Sequence, residues 1–266
     1  MTQPPGALFE RLVAIMQQLR GPGGCPWDRE QTRTSLKPYL IEEAYEVIEA
    51  IESGRLDAVE EELGDLLLQV VFHAQVAQEQ REFDIAGVLE RLIAKLVTRH
   101  PHVFADATAA TPREALAQWE AIKQREAETA GRPRSVIDGV PRALPSLLRA
   151  QRMQEKAARI NFDWPDARAA WRKVEEEMRE AGSALADGER PRVQEELGDV
   201  LFSVVNVARL SGIDAEEALQ GVIEKFRRRF TGMEADLTAQ GKSIGRVSQA
   251  ELERSWEAVK AQERAR

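Results

Sequence analysis

The sequence contains one cysteine, three histidines and few aromatic residues among its 266 positions. A single cysteine, Cys25, excludes an intrachain disulfide and is typical of a reducing compartment. No apolar run approaches the roughly 20 residues that a membrane span requires, and no signal-like segment precedes the first helix, so a cytoplasmic protein is expected. The formal charge of −8 argues against a protein that binds nucleic-acid backbones non-specifically.

Helix-forming residues are abundant instead. Charged residues make up 31% and hydrophobic residues 43% of the chain, which predicts a globular all-α protein long enough for two domains. Apolar residues recur at helical spacing between Gly- and Pro-rich breaks. The predicted helices cover 8–19, 36–51, 57–78, 85–98, a segment from 112, 147–158, 169–181 and a segment from 191. In the third of these, Asp57 is the expected N-cap, with Glu60 completing a capping box.

An acidic motif occurs twice and is the strongest feature of the sequence. Residues 61–68 read EELGDLLL and residues 195–202 read EELGDVLF, and each follows a further acidic group at 42–46 or 176–180. Sixteen residues separate Glu46 from Glu62, and sixteen separate Glu180 from Glu196. This repeat predicts two tandem helical bundles related by duplication, at 1–128 and 146–266, joined by a linker at 129–145.

Each repeat contains acidic residues three positions apart on two neighbouring helices. Residues at this spacing share a helix face, so two antiparallel helices can bring four carboxylates around one point. Two such charges about 4 Å apart repel by roughly 4 kcal/mol at an effective dielectric constant near 20. A divalent cation or protonation must relieve this repulsion. An all-oxygen set favours Mg²⁺, with Mn²⁺ or Ca²⁺ as substitutes, and Mg²⁺ binds phosphate oxygens together with carboxylates.

Each acidic group taken alone is typical of a solvated helix face, and only the repeat at constant spacing favours metal sites. A basic and aromatic pattern also recurs, with Lys95, Arg99 and Trp119 in the first half and Lys225, Arg229 and Trp256 in the second. The basic residues form either an exposed helix face or a phosphate clamp, and the tryptophans either pack or stack on a base. His100 and His102 either ligate a metal or simply end a helix.

The doubled motif resembles that of the MazG nucleoside triphosphate pyrophosphohydrolases. The likeness extends over essentially the whole chain and includes GCPWD at 24–28, RHPHVF at 99–104 and NFDW at 161–164. It implies an all-α fold with two MazG-type domains, a homodimer, and Mg²⁺-dependent hydrolysis of nucleoside triphosphates to monophosphates and pyrophosphate with broad base tolerance. The second domain is the one expected to carry the activity.

The resemblance also implies particular site residues. The implied metal ligands are Glu177, Glu180, Glu196 and Asp199 in the second half, and Glu43, Glu46, Glu62 and Asp65 in the first. The implied nucleotide contacts are Lys173, Val174, Glu175, Glu176, Glu177, Arg192, Val193, Gln194, Glu195 and Asp199, completed by Lys225, Phe226, Arg227, Arg228, Arg229 and Trp256, with Lys95, Arg99 and Trp119 as equivalents in the first half. Tyr39 stands where the second copy has Lys173, which weakens the expectation of phosphate binding in the first half.

The predicted mechanism is attack of a metal-activated water on the α-phosphorus. The candidate catalytic residues are Glu176, Glu177, Glu180, Glu196 and Asp199, with Glu176 or Glu177 as proton acceptor. Lys225 and Arg229 would neutralise the leaving pyrophosphate. Two other classes remain open, a regulator that binds nucleotide without cleaving it and a helical interaction module. A di-iron carboxylate protein is disfavoured, because no histidine follows a glutamate by three residues.

Overall fold

The structure is a computed structural model that describes residues 3–129, 131 and 135–264. All regular elements in these ranges are helical, which confirms the prediction of an all-α fold. The α-helices are α1 (Pro5–Arg20), α2 (Pro26–Glu30), α3 (Lys37–Ser53), α4 (Leu56–Glu79), α5 (Ile85–Arg99), α6 (Pro101–Phe104), α7 (Pro112–Thr129), α8 (Ser146–Ala158), α9 (Ala167–Asp187), α10 (Arg190–Leu210), α11 (Ala215–Ala239) and α12 (Gln249–Arg264), with a 3₁₀ turn at Ile244–Arg246. Across the described ranges, no helix combines the length and apolarity needed to cross a membrane.

The chain divides into two compact units, Met1–Ala130 and Gly131–Arg266. Each unit is built around a helical hairpin, α3 with α4 in the first unit and α9 with α10 in the second. Gly54 closes the first hairpin with φ 71°, and Gly188 closes the second with φ 73°. A residue with a Cβ enters this left-handed region only at a steric cost, so glycine defines the two equivalent turns.

The seam of α9 explains how a carboxylate comes to lie inside a helix pair. Its buried residues include Ala170, Val174, Glu177, Ala181 and Ala184. Their spacing of four and three residues is that of a helix face packed against a neighbouring helix. The alanines let α10 approach closely, and Glu177 takes a place in the row that an apolar residue would ordinarily occupy.

The apolar stripes that helical spacing predicts to face inward in α3 and α4 are buried only in part. Six of their residues remain 40% to 60% exposed in the isolated chain. They are Ile41, Ile48, Ile51, Leu63, Leu67 and Val70. Val71 of the predicted stripe is buried, and in α3 the buried residues are Val47 and Ala50, which the prediction did not include. Periodicity identifies an apolar stripe, but it does not show which surface covers that stripe.

Two further predictions concern the start of α4 and the linker between the two units. The capping box at Asp57 is wrong, because α4 begins one residue earlier, with Arg55 as N-cap and no side-chain cap. Of the predicted linker 129–145, residues 130 and 132–134 lie outside the described residues. The described remainder forms turns, one of which is closed by a hydrogen bond of 2.8 Å from the Ser135 amide to the Asp138 carboxylate.

Candidate active site

Three acidic side chains of the second unit converge where α9 faces α10. Glu177, Glu196 and Asp199 each offer a carboxylate oxygen, and these oxygens lie within 4.8 Å of one another. Burial and the neighbouring charge of Glu180 raise the pKa of Glu196, in that order of importance. The structure therefore brings together three of the four side chains of the second acidic quartet, and the fourth, Glu180, acts on Glu196 through its charge.

The first unit repeats this arrangement. Glu43, Glu62 and Asp65 also offer oxygens within 4.8 Å of one another. Burial, followed by the charge of Glu46, raises the pKa of Glu62. Gln69 donates a hydrogen bond of 3.3 Å from Nε2 to Glu43 Oε1. Both clusters consist of carboxylate oxygens that resist ionising together, and this is the donor set that suits Mg²⁺.

A lysine distinguishes the second cluster from the first. Lys173 Nζ lies 2.7 Å from Glu176 Oε1 and 2.7 Å from Glu177 Oε1. The hydrogen bonds to these two carboxylates hold the pKa of Lys173 above its usual value, and the lysine in turn lowers the pKa of Glu176. In the first unit Tyr39 takes this position, and its ring meets the Trp27 ring edge-on at 5.8 Å. At this position the first cluster therefore has a phenol ring, whereas the second has an ammonium group that could contact a phosphate.

A cavity of about 650 Å³ opens beside the second cluster. Lys173, Glu177 and Asp199 contribute to its lining, so two of the metal-binding candidates face a half-open cavity of ligand size. The wall continues along α10 to Asn206 and also includes Phe162 and Trp164 from the segment between α8 and α9. Charged groups and apolar rings thus share one cavity, as a nucleotide requires.

Several predicted nucleotide contacts do not line this cavity. Val174 is only 2% exposed and packs in the helix seam. Glu175 accepts a hydrogen bond of 3.2 Å from Trp171 Nε1. Arg192 pairs with Asp187 at 2.9 Å and approaches Glu196 at 3.8 Å. Three further predicted contacts lie in the first two turns of α10, away from the lining residues, namely Val193, Gln194 and Glu195.

The basic cluster of α11 lies apart from the lining of the cavity. Phe226 contacts Trp256 at a ring separation of 5.4 Å, so this tryptophan packs α12 onto α11. Arg228 and Arg229 both pair with Glu263, at 3.1 Å and 2.7 Å. The two other basic residues of the cluster are exposed, namely Lys225 and Arg227.

The equivalent residues of the first unit form a packing cluster. The Arg99 guanidinium lies 5.3 Å from the centre of the Trp119 ring and pairs with Glu126 at 2.6 Å. The ring of His100 contacts Trp119 at 4.8 Å, and its Nδ1 lies 2.7 Å from the Leu96 carbonyl oxygen. Lys95 is exposed on the preceding turn. Within the described residues, neither His100 nor His102 joins a cluster of potential metal ligands.

Sequence reasoning missed one polar network in the wall of the cavity. Arg209 donates through Nη1 and Nη2 to the carboxylate of Asp163, and its Nη2 also donates to Asn206 Oδ1 at 2.9 Å. Asp163 and Arg209 are 46 positions apart in the sequence, so no local pattern reveals this pairing. One signal was available, because Asn206 lies seven residues after Asp199 and hence on the same face of α10.

The chain matches the MazG nucleotide pyrophosphohydrolase domain twice, at residues 31–104 and 167–232. It is 45% identical over 260 residues to the nucleoside triphosphate pyrophosphohydrolase of Escherichia coli strain K12, which covers 96% of this chain and 98% of that protein. A nucleoside triphosphate pyrophosphohydrolase/pyrophosphatase MazG of Thermotoga maritima is 45% identical over 256 residues, covering 96% of each chain. An uncharacterised protein, YabN of Bacillus subtilis, is 43% identical over 257 residues, which cover 96% of this chain but 52% of that protein.

Proposed function

Because this chain belongs to the MazG family of nucleotide pyrophosphohydrolases, we propose that its second unit cleaves nucleoside triphosphates by Mg²⁺-assisted attack of water on the α-phosphorus. Hydrolysis of nucleoside triphosphates follows from the family and from the relatives of nearly full length. We assign the activity to the second unit because Lys173, Glu177 and Asp199 line one cavity there. The metal, the point of attack and the residue roles are our proposal.

The carboxylate cluster fits a hard divalent cation. Its oxygens lie close together, and the raised pKa of Glu196 reflects burial and repulsion that a cation would relieve. The residues that would hold the ion are Glu177, Glu180, Glu196 and Asp199. When bound, Mg²⁺ supplies charge neutralisation at the phosphates and makes a water more acidic. Mn²⁺ accepts the same oxygen ligands and would substitute for it.

Lys173 and Glu176 have separate proposed roles beside the cluster. Lys173 carries a positive charge into the cavity, where it can contact a phosphate oxygen that displaces one of its carboxylate partners. Glu176 lies outside the group of clustered carboxylates, and the hydrogen bond from Lys173 lowers its pKa, so it becomes a stronger base once a phosphate takes over the lysine. It can therefore accept the proton of the attacking water, and it is a better candidate than Glu177, which is committed to the cluster.

The products reveal where the bond breaks. With one triphosphate in H₂¹⁸O, we expect monophosphate and pyrophosphate as products, with ¹⁸O in the monophosphate alone, because the water attacks the α-phosphorus. Mass spectrometry of the separated products measures the label. EDTA should stop the reaction and excess Mg²⁺ should restore it. Label in pyrophosphate, or release of single phosphates, would refute attack at the α-phosphorus.

We propose a homodimer as the working form. Apolar residues on the outer faces of α9 and α10, among them Met178, Leu185 and Leu201, are about 60% exposed, which is unusual for large apolar side chains on a monomer. A second copy of the chain could cover them, and its α11 could then bring Lys225 and Arg229 to the cavity. Sedimentation equilibrium should give twice the chain mass of 29.8 kDa at micromolar concentration. A single 29.8 kDa species would contradict the dimer.

A further inference from the structure

Much of the cavity wall lies outside both regions that match the family. The second match begins at residue 167, whereas Ile137, Gln154 and the segment 161–164 precede it. The acidic cluster lies inside the match. The repeated domain therefore accounts for the phosphate-binding side of the cavity but leaves the wall contributed by 137–164 without an assigned role.

One face of α10 connects the carboxylates to that wall. Asp199, Ser203 and Asn206 occupy positions i, i+4 and i+7 and all line the cavity. Seven residues of helix rise by about 10 Å, which is two turns. A nucleotide with its phosphates at Asp199 can therefore lie along α10 and place its base beside Asn206.

The side-chain amide of Asn206 has a fixed orientation. Its partner Arg209 carries only donors, so the atom 2.9 Å from Arg209 Nη2 must be the amide oxygen. Asp163 accepts a hydrogen bond from the same Arg209 guanidinium, and the Arg209 side chain is only 11% exposed. Asp163 therefore keeps the guanidinium from rotating away from Asn206. The remaining amide group of Asn206, Nδ2, can only donate.

Aromatic rings border the same part of the cavity. Phe162 and Trp164 flank Asp163, and both line the cavity with partly exposed faces. Nucleobases stack on such rings whatever their identity. The rings therefore provide general affinity for a base, whereas the amide donor can distinguish one base edge from another.

The first unit lacks this arrangement. Phe72 precedes Asn206 by 134 residues, the same separation as between Asp65 and Asp199. Phe72 is 3% exposed and packs against Trp27 and Arg20. The centres of the Phe72 and Trp27 rings are 6.5 Å apart, and Arg20 Cζ lies 5.3 Å from the centre of the Phe72 ring. At the position of the amide, the first unit has a core side chain.

We propose, building on the function proposed above, that this part of the cavity is a nucleobase subsite in which Asn206 Nδ2 donates a hydrogen bond to the 4-carbonyl oxygen of a pyrimidine base. Arg209 and Asp163 are positioning residues that fix the amide. UTP and CTP differ in the pyrimidine ring alone, since CTP has an amino group where UTP has the 4-carbonyl. The subsite therefore favours UTP over CTP.

The substitution Asn206→Asp replaces the donor with a group that only accepts and that Arg209 can still hold. We expect the ratio of kcat/KM for UTP to that for CTP to fall by about tenfold or more, because a polar site discriminates strongly against a mismatched partner. Steady-state pyrophosphate release measures this ratio. Affinities for UMP and CMP, measured calorimetrically, need no turnover and should shift in the same direction.

Asn161→Asp is the matched control. Asn161 also lines the cavity, has a φ of 63° that aspartate tolerates, and makes no described hydrogen bond to Arg209. Its added charge should weaken UTP and CTP alike and leave their ratio within about twofold. Arg209→Lys, which frees the amide, should bring the UTP to CTP ratio close to one with a smaller effect on kcat.

The failures of the two proposals are distinguishable. If the native protein releases pyrophosphate but Asn206→Asp leaves the ratio unchanged, or changes it only as much as Asn161→Asp does, the base subsite is wrong and the proposed function stands. If the native protein cleaves none of ATP, GTP, UTP and CTP, the proposed function is wrong. The UMP and CMP affinities then still decide whether Asn206 contacts a base.

Discussion

Glu196→Gln is expected to lower the rate of pyrophosphate release by at least about 10²-fold, because it removes one of the clustered carboxylates that, in the proposed mechanism, hold a cation at the phosphates. The side chain keeps its shape, so helix content measured by circular dichroism should not change. Without metal the melting temperature should stay level or rise, since the charge lost is one whose pKa burial and repulsion already raise. A phosphate-release assay coupled to pyrophosphatase gives the rate.

Glu62→Gln provides the paired measurement, because Glu62 occupies the same motif position in the first unit. Tyr39 in place of a lysine and Phe72 in place of an asparagine argue that the first cluster contributes little to turnover. We therefore expect less than a twofold loss of total rate. A native rate in Glu196→Gln would overturn the assignment of the active unit, and a large loss in Glu62→Gln alone would move the activity to the first unit.

Lys173→Met should impair both activity and the stability of the metal-free protein. Glu177 is 5% exposed and would lose its ion-pair partner, and leaving a buried charge unpaired costs about 3 kcal/mol. The urea midpoint of the second unit should fall accordingly, and Mg²⁺ should recover much of the loss by taking over the countercharge. We expect kcat/KM to fall by about 10²-fold, because the phosphate contact proposed for Lys173 is removed.

Two further variants show whether the loss arises from the buried charge. The double variant Lys173→Met with Glu177→Gln should regain most of the stability but none of the activity. Lys260→Met removes a pair of the same 2.7 Å separation, in which the partner Glu257 is 64% exposed, and should cost less than about 1 kcal/mol. Equal losses in Lys260→Met and Lys173→Met would contradict the role given to the burial of Glu177.

The acidic clusters were predictable because their geometry is local. Acidic pairs at i and i+3, such as Glu196 and Asp199, must share a helix face, and a two-residue turn closed by Gly188 forces the partner helix alongside. The bounds of the helices likewise follow from local signals such as the glycine after α3 and Pro191 in the first turn of α10. Nothing beyond helical geometry and turn chemistry is needed for this part of the site.

The rest of the site depends on contacts that are distant in sequence. Arg209 meets Asp163 across a helix and a loop, and neither residue belongs to a periodic pattern. The apolar stripes of α3 and α4 have the spacing of a buried face. Within the α3–α4 hairpin, however, no other residues cover Ile41, Ile48 and Leu63, which remain exposed. The α11 cluster at 225–229 repeats the pattern of 95–99, but matching a pattern does not place it beside the carboxylates.

The two helical hairpins differ in how tightly they are packed, and this difference illustrates how the two copies of a duplicated domain can specialise. Empty volume weakens a small fold, since each atom facing a void forgoes dispersion contacts. The second copy has a cavity beside its carboxylates, whereas at the position of Asn206 the first copy has the buried Phe72, which contacts Trp27 and the guanidinium of Arg20. The second copy can thus keep the cavity that a substrate needs, while the first copy is free to accumulate substitutions that improve its packing.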